Sequence, residues 1–468
     1  MRITLHGAAG GEVTGSAYLV RTKTASVLLD FGMFQGASRV EKLNALPDDE
    51  GLRGLDAVVL THAHLDHCGR LPLLPRVGFA GPVYATPATI DLAELILRDS
   101  AHVQKADAER AARRREHGVR RVKPPPEPLY SQEDLEKIRP QFRALPYDQS
   151  VEVAEGVAVR AVDAGHMLGS ASVEMTVREE GRTRVVVFSG DIGPRGAPIH
   201  RDPVPFRHAD AVFLESTYGD RDHRSLHDTV AEAREVIAKA VAERGKMLMP
   251  VFAVGRPQLI LYLLAGEFLR GAIPPFPIYM DSPMAIEATR IYERHTELFD
   301  EEAVAMYNSG ELRANLGTVQ YCRTADESRA LNDREGPMLI MAGAGMCTAG
   351  RILHHLRHNL GRPGTRVLVV GYQAEGSLGR LLVDGRKMVS IFGEKIPVKA
   401  SVHTLGGFSG HAGQSDLLNW FASVAPSNPR VFLTHGEERA RKPLARLIAV
   451  RHGISPELPA IGQVIDLD

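Results

Sequence analysis

The sequence predicts an α/β protein in which a strand-rich domain is interrupted by a block built on a parallel sheet. Three observations point there. Over residues 1–217 short apolar runs with period-two patterning recur between Gly-rich turns, as half-buried strands do. Over residues 218–392 apolar strands alternate with helical patterns, the rhythm of a parallel sheet covered by helices. Over residues 393–468 strand character returns, so the middle block reads as an insertion into the first domain. At 468 residues the chain has room for two or three cores.

Taken in order, Ile3–His6, Ala17–Arg21, Ser26–Phe31 and Asp56–Thr61 read as strands. Thr86 is the expected cap of a helix that opens at Pro87 and runs to about Leu97. Arg98–Arg121 is helical in pattern but polar and basic, with Arg113, Arg114, Arg115, Arg120 and Arg121, and leads into Pro124, Pro125 and Pro126. It reads as a surface excursion, with an RNA-facing arm as the sharper alternative. Val151–Val162, Val173–Val177 and Arg184–Phe188 resume the strand pattern, and Asp191 and Glu215 stand at two strand ends. Ser225 caps a helix with an apolar stripe at Val230, Ala233, Ile237, Ala240 and Val241. Strands at Met247–Phe252, Pro277–Met280, Pro337–Met341 and Arg366–Val370 then alternate with helices, among them Met284–His295 and Arg351–Leu360. Val398–Leu405 and Arg430–Thr434 read as strands, followed by a helix over Glu438–Val450.

Composition is globular, with 44% hydrophobic and 24% charged residues and a net charge of −1. No global charge excess advertises a polyanionic or membrane partner, so a polyanion would have to be attracted by local patches and metal ions. Cys68, Cys322 and Cys347 are widely spaced and form no CxxC pair, which points to a reducing, cytoplasmic setting. Cys68 itself reads as a small buried residue. No leader pattern opens the chain and no apolar run is long enough to span a bilayer, so no membrane partner is expected.

The densest chemistry lies in Thr61–His67, where His62, His64, Asp66 and His67 follow a buried strand. In extended chain His62 and His64 point to one side and can reach one ion, while Asp66 and His67 can face a second. Further candidate ligands recur where strands meet glycines: Asp30, His166, Asp191 and His435. His354, His355 and His358 share a helix face but read as packing residues rather than a third metal site.

These residues, in this order, resemble the metallo-β-lactamase fold, an αββα sandwich. Glu215 in Glu-Ser-Thr-Tyr-Gly, His411 in Gly-Phe-Ser-Gly-His-Ala and His435 further resemble motifs A, B and C of its β-CASP subfamily, with the middle block as the inserted β-CASP domain. The likeness extends over nearly the whole chain, including Asp281-Ser-Pro-Met284 and Gly343–Arg351. Bacterial RNA-cleaving enzymes and the nuclease subunit of eukaryotic pre-mRNA cleavage and polyadenylation are similar to it. The C-terminal domain of ribonuclease J enzymes and the N-terminal extension of archaeal relatives have no counterpart in the sequence, so a two-domain core is expected.

The resemblance implies two Zn²⁺ per chain, one on His62, His64 and His166, the second on Asp66, His67 and His435, with Asp191 between them and Asp30 supporting the ligand loops. It further implies a zinc-dependent ribonuclease that hydrolyses phosphodiester bonds, with a metal-bound hydroxide as nucleophile and His411, oriented by Glu215, as general acid. Cleavage could be endonucleolytic, 5′ exonucleolytic or both. The expected partner is single-stranded RNA, with a homodimer allowed. Thr348, Gly350 and Arg351 resemble the family's RNA-facing turn, and Arg256 and Ser409 are further candidates. The competing readings are a thioesterase or lactonase of the same metal fold and a DNA-acting nuclease; His435 at motif C tilts the choice toward RNA.

Overall fold

A computed structural model describes residues 1–36, 38–47, 50–116, 127–374 and 376–467. The chain divides into two compact units, one of residues 1–196, 202–222 and 411–468, the other of residues 197–201 and 223–410.

The first unit contains two sheets. One has seven strands, in the order Val464–Asp466, Arg2–Leu5, Tyr18–Arg21, Ser26–Leu29, Ala57–Val59, Val83–Ala85 and Phe142–Ala144. The other has six, in the order Arg430–Thr434, Ala211–Glu215, Arg182–Phe188, Ala171–Glu179, Val157–Asp163 and Ser150–Ala154. Period-two alternation sends Ile3, Val20, Val27 and Val59 from the first sheet, and Val159, Val173, Val186 and Phe213 from the second, into one shared core. Phe188, Phe213 and Phe432 stack through it, with ring centroids 4.9 and 4.8 Å apart. The opposite face of the six-stranded sheet offers Val187, Val212, Leu214, Val431 and Leu433 to the helices Gln414–Ala422 and Glu438–His452. Helix, sheet, sheet, helix is therefore the layering, and it follows from strands that are apolar on both faces.

Two differences from the sequence reading stand out in this unit. Val151–Val162 is a hairpin of two strands, turned at Gly156 with φ 71°. The two helical stretches read on either side of Leu97 are one helix, capped by Thr86, whose Oγ1 accepts from Thr89 N at 3.2 Å, and running to Glu116. Arg120, Arg121 and the three prolines lie outside the described residues.

The second unit holds a six-stranded sheet in the order Val319–Tyr321, Ile278–Asp281, Met338–Ala342, Lys246–Pro250, Arg366–Val369 and Ser401–Thr404, every pair parallel. Among its helices are Leu226–Ala242, Arg256–Leu269, Pro283–Arg294 and Arg351–Asn359. Since all six strands point the same way, the loops after them emerge at one end. Ser401–Thr404 completes this sheet, and Met388–Ile391 pairs with Glu394–Pro397 in a hairpin, so the compact unit extends to Gly410 where the sequence reading sets a boundary at 392/393. No described helix is long and apolar enough to cross a membrane.

Candidate metal centre

The site forms where neighbouring strands of the first unit end. Ser26–Leu29 runs parallel to Ala57–Val59, and Arg182–Phe188, Ala211–Glu215 and Arg430–Thr434 run parallel to one another. Their C-terminal loops therefore share an end, and they carry Asp30, Thr61–His67, Asp191, Glu215 and His435. Glycine permits the close approach of these loops. A Cβ on Gly32 would lie 1.6 Å from the carbonyl oxygen of Asp66, and one on Gly193 would lie 1.9 Å from that of Gly165.

Two donor groups result. In the first, Nε2 of His62 and Nε2 of His166 each lie 3.1 Å from Nδ1 of His64. A single ring nitrogen has one in-plane lone pair and cannot serve both neighbours as a hydrogen-bond acceptor. Three ring nitrogens converging in this way instead outline one face of a tetrahedral site, whose edges for a zinc–imidazole bond would be ~3.3 Å. In the second group, Nε2 of His435 lies 3.2 Å from Nε2 of His67 and 3.5 Å from Oδ2 of Asp66.

Asp191 links the two. Its Oδ2 lies 3.4 and 3.6 Å from Nε2 of His62 and His166, and its Oδ1 lies 3.3 and 3.5 Å from Nε2 of His67 and His435. Oδ1 is buried and makes no hydrogen bond. An orphaned carboxylate oxygen is costly in a protein interior, and a shared cation is what this one is shaped to meet. Imidazole with carboxylate suits zinc among the divalent metals.

Electrostatics point the same way. Burial lowers the pKa of His62, of His64 to about 3, and of His166 well below the ordinary value, with neighbouring histidines adding to the effect. These rings are therefore neutral, the form a metal needs. For His67 burial also lowers the pKa, but Asp191 and Asp30 outweigh it and the net shift is strongly upward. Asp191 is itself held well below the carboxylate range, since His435, His67 and His62 overcome the opposing effect of burial.

Around the donors stands a supporting layer. Asp30, with φ 57°, faces Nδ1 of His67 at 2.7 Å and accepts from the backbone N and the Oγ1 of Thr61 at 2.8 and 2.9 Å. One carboxylate thus fixes both ends of Thr61–His67. Thr217 Oγ1 lies 3.1 Å from Nδ1 of His435 and orients that ring. Sequence reasoning missed Thr217, although it stands two residues after Glu215. Glu215 is buried, accepts from Ile192 N at 2.8 Å and Thr217 N at 3.1 Å, and presents Oε1 to Nδ1 of His411 at 3.3 Å. His411 keeps 21% of its side chain exposed and lies 3.9 Å from Asp191 Oδ2. Burial lowers its pKa, but the Glu215 carboxylate prevails and the net direction is upward. His62, His64, His166 and Asp191 therefore form one potential ligand group, Asp66, His67 and His435 a second, and Asp191, Glu215 and His411 a third.

Comparison with known proteins now places this geometry. The metallo-beta-lactamase superfamily matches residues 10–250, the Beta-Casp domain residues 257–382, and the Zn-dependent metallo-hydrolase RNA specificity domain residues 395–459. A ribonuclease of Thermus thermophilus is 43% identical over 96% of both chains. The chain belongs to the β-CASP family of the metallo-β-lactamase superfamily. Transcription termination factors of Pyrococcus horikoshii and Thermococcus kodakarensis are 31% and 32% identical, over 96% of this chain and 68% of each relative. A crystal structure of a protein of unknown function from Enterococcus faecalis V583 shares the fold, at TM-score 0.55 and 13% identity over 100% of this chain and 99% of that one. Membership brings metal binding with it, and the groups just described are its candidate donors.

The residues expected to face RNA lie in the β-CASP unit, apart from the metal donors in sequence. Thr348 and Gly350 are exposed in the turn that opens helix Arg351–Asn359, at the C-terminal end of the parallel sheet. Arg351 is engaged otherwise than expected. Its Nη1 donates to Asp281 Oδ1 at 2.6 Å and to the carbonyl of Cys322 at 2.9 Å, and its Nη2 donates to that of Arg323 at 2.8 Å. It clamps the turn from within. Arg256 opens helix Arg256–Leu269 and donates to the carbonyl of Val370, while Ser409 is half-buried beyond strand Ser401–Thr404. Of the three helix-face histidines, His355 is buried, with Nε2 2.7 Å from Asp281 Oδ2 and Nδ1 3.1 Å from Asn332 Oδ1. A carboxylate accompanies it, but Ser328 and Arg351 share that carboxylate, and no metal group forms there among the described residues.

Proposed function

We propose that this β-CASP protein is a metal-dependent ribonuclease that hydrolyses phosphodiester bonds of single-stranded RNA with two Zn²⁺. The observation that carries this reading is Asp191, whose two oxygens face two separate donor groups while His411 stands beside it on Glu215. The RNA specificity domain and the Thermus ribonuclease support RNA over DNA or a small ester.

His62, His64 and His166 would hold one ion and Asp66, His67 and His435 the other, with Asp191 shared. When bound, the ions supply a water activated for attack and neutralise charge developing on the phosphoryl oxygens. Asp30 and Thr217 fix the orientation of His67 and His435. Glu215 holds Nδ1 of His411, which leaves Nε2 as the ring nitrogen to protonate the departing 3′ oxygen. Against the opposing effect of burial, the Glu215 carboxylate raises the basicity of His411, which favours the protonated ring that this step needs. Thr348 and Gly350, with Arg256 and Ser409, are the proposed phosphate contacts, Arg351 acting by holding the turn.

The test is cleavage of matched 5′-labelled RNA and DNA oligonucleotides with and without a chelator, alongside metal analysis of the purified chain. RNA-selective cleavage abolished by the chelator, with two zincs per chain, is expected. Equal cleavage of DNA, or activity indifferent to the chelator, would refute the reading.

A further inference from the structure

We propose that Phe252 and Tyr372 form a stacking site for an unpaired nucleobase on the β-CASP unit, a deepening that rests on the ribonuclease reading. Large aromatic side chains are ordinarily buried, yet Phe252 is 44% and Tyr372 52% exposed. They stand in the loops after the neighbouring parallel strands Lys246–Pro250 and Arg366–Val369, so both emerge at the same end of the sheet.

Phe252 is seated rather than dangling. A Cβ on Gly345 would lie 2.7 Å from its Cδ2, 2.8 Å from Cε2 and 3.0 Å from Cγ, so bare glycine backbone packs flat against one side of the ring. Gly345 follows the third neighbouring strand, Met338–Ala342, and any side chain there would displace the ring. Gly371 flanks the same ring: its Cβ position is 3.6 Å from Phe252 Cε2 and 3.4 Å from Nη1 of Arg256. Gln373 donates to the carbonyls of Gly345 and Gly371 at 2.9 and 3.2 Å, tying the two glycine loops together beneath the ring and beside Tyr372.

The result is a half-exposed ring backed by glycine backbone, with the Arg256 guanidinium near the same Gly371 and a second exposed ring one residue after that glycine. A flat π-surface with adjacent positive charge fits a base and its phosphate, and stacking tolerates any base because each has a π-face. A protein partner would ask for a broader apolar patch than two rings set among glycines. The exposed rings would also explain how a chain of net charge −1 holds a polyanion without a global basic surface.

Binding is read by fluorescence anisotropy of single-stranded RNA in chelator, so that no cleavage intrudes, with intact oligonucleotides and a series carrying one abasic position. Phe252→Ala and Tyr372→Ala should each weaken binding roughly tenfold, and Phe252→Trp should restore it. One abasic position should weaken wild-type binding by a similar factor yet cost the Phe252→Ala variant nothing further. Tyr372→Ala keeps the wild-type melting temperature, and Phe252→Ala, which gives up the ring's packing on Gly345, keeps a cooperative transition above the assay temperature. Additive losses from ring and base, or no loss from either alanine, would overturn the stacking site while leaving the ribonuclease reading intact. A wild-type chain that binds no RNA would overturn both.

Discussion

Asp30 shows how one carboxylate outside the donor groups governs them. It hydrogen-bonds Thr61 at one end of the ligand stretch and faces His67 at the other. Asp30→Ala should weaken metal binding by about 10–100-fold, measured by competition with a chromophoric chelator, because ring orientation and basicity are lost together. His411 makes the opposite prediction. His411→Ala should retain the metal content of the wild type and lose cleavage by about 10²–10⁴-fold. Metal loss in that variant would make His411 a ligand, an alternative the grouping of Asp191, Glu215 and His411 allows. At this scale much of the site was legible, because each donor adjoins a strand end or a glycine and leaves a local mark. Thr217 and Ser328 left none, since a hydroxyl becomes significant only through a partner that folding brings to it. Arg351 misled for the same reason: its acceptors lie in Asp281, Cys322 and Arg323, at least 28 positions away in sequence.

Among the elements, helix Arg351–Asn359 is held to strand Ile278–Asp281 by polar contacts. Asp281 is fully buried and receives Arg351 at 2.6 Å and Ser328 at 2.5 Å, with His355 Nε2 at 2.7 Å. Burial pushes the Asp281 carboxyl up, but His355, Ser328 and Arg351 together outweigh it and the net shift is downward. A carboxyl with a depressed folded pKa contributes stability that is complete above its unfolded value of about 4 and is lost as pH falls through the folded value. Asp281→Ala should therefore cost on the order of 3 kcal/mol at pH 7, and the gap from wild type in denaturant titrations should shrink toward pH 3. A constant gap would mean that the carboxylate charge contributes nothing. Elements were legible where burial on both faces imposed a continuous apolar run, as in Met338–Ala342 and Arg366–Val369, buried throughout. They were illegible where it did not. In the hairpin Met388–Pro397 the first strand alternates exposed and buried residues over only four positions and the second buries none, so it was passed over.

For the whole molecule, the two compact units should respond differently to the loss of metal, because every proposed donor lies in one of them. A ligand that binds only the folded form raises its stability, so adding a chelator should lower one calorimetric transition by roughly 5 °C and leave the other in place. Equal displacement of both would contradict the assignment of the metals to the first unit alone. The insertion was legible as a change in rhythm between strand-rich and alternating segments. The sequence reading ends the inserted domain at residue 392, whereas the compact unit runs to Gly410, because the register of Ser401–Thr404 with Arg366–Val369 adds that strand to the inserted sheet.

The chain leaves the first unit after Asp222 and re-enters it at His411. In that sheet Arg430–Thr434 pairs with Ala211–Glu215, across the whole intervening insertion. A polypeptide still being synthesised thus carries His62, His64, His166 and Asp191 long before it has His411 or His435. During translation the first donor group is present while the second is incomplete and Glu215 has no imidazole to orient. Cleavage that needs both donor groups and His411 would therefore wait until the chain has been made past His435.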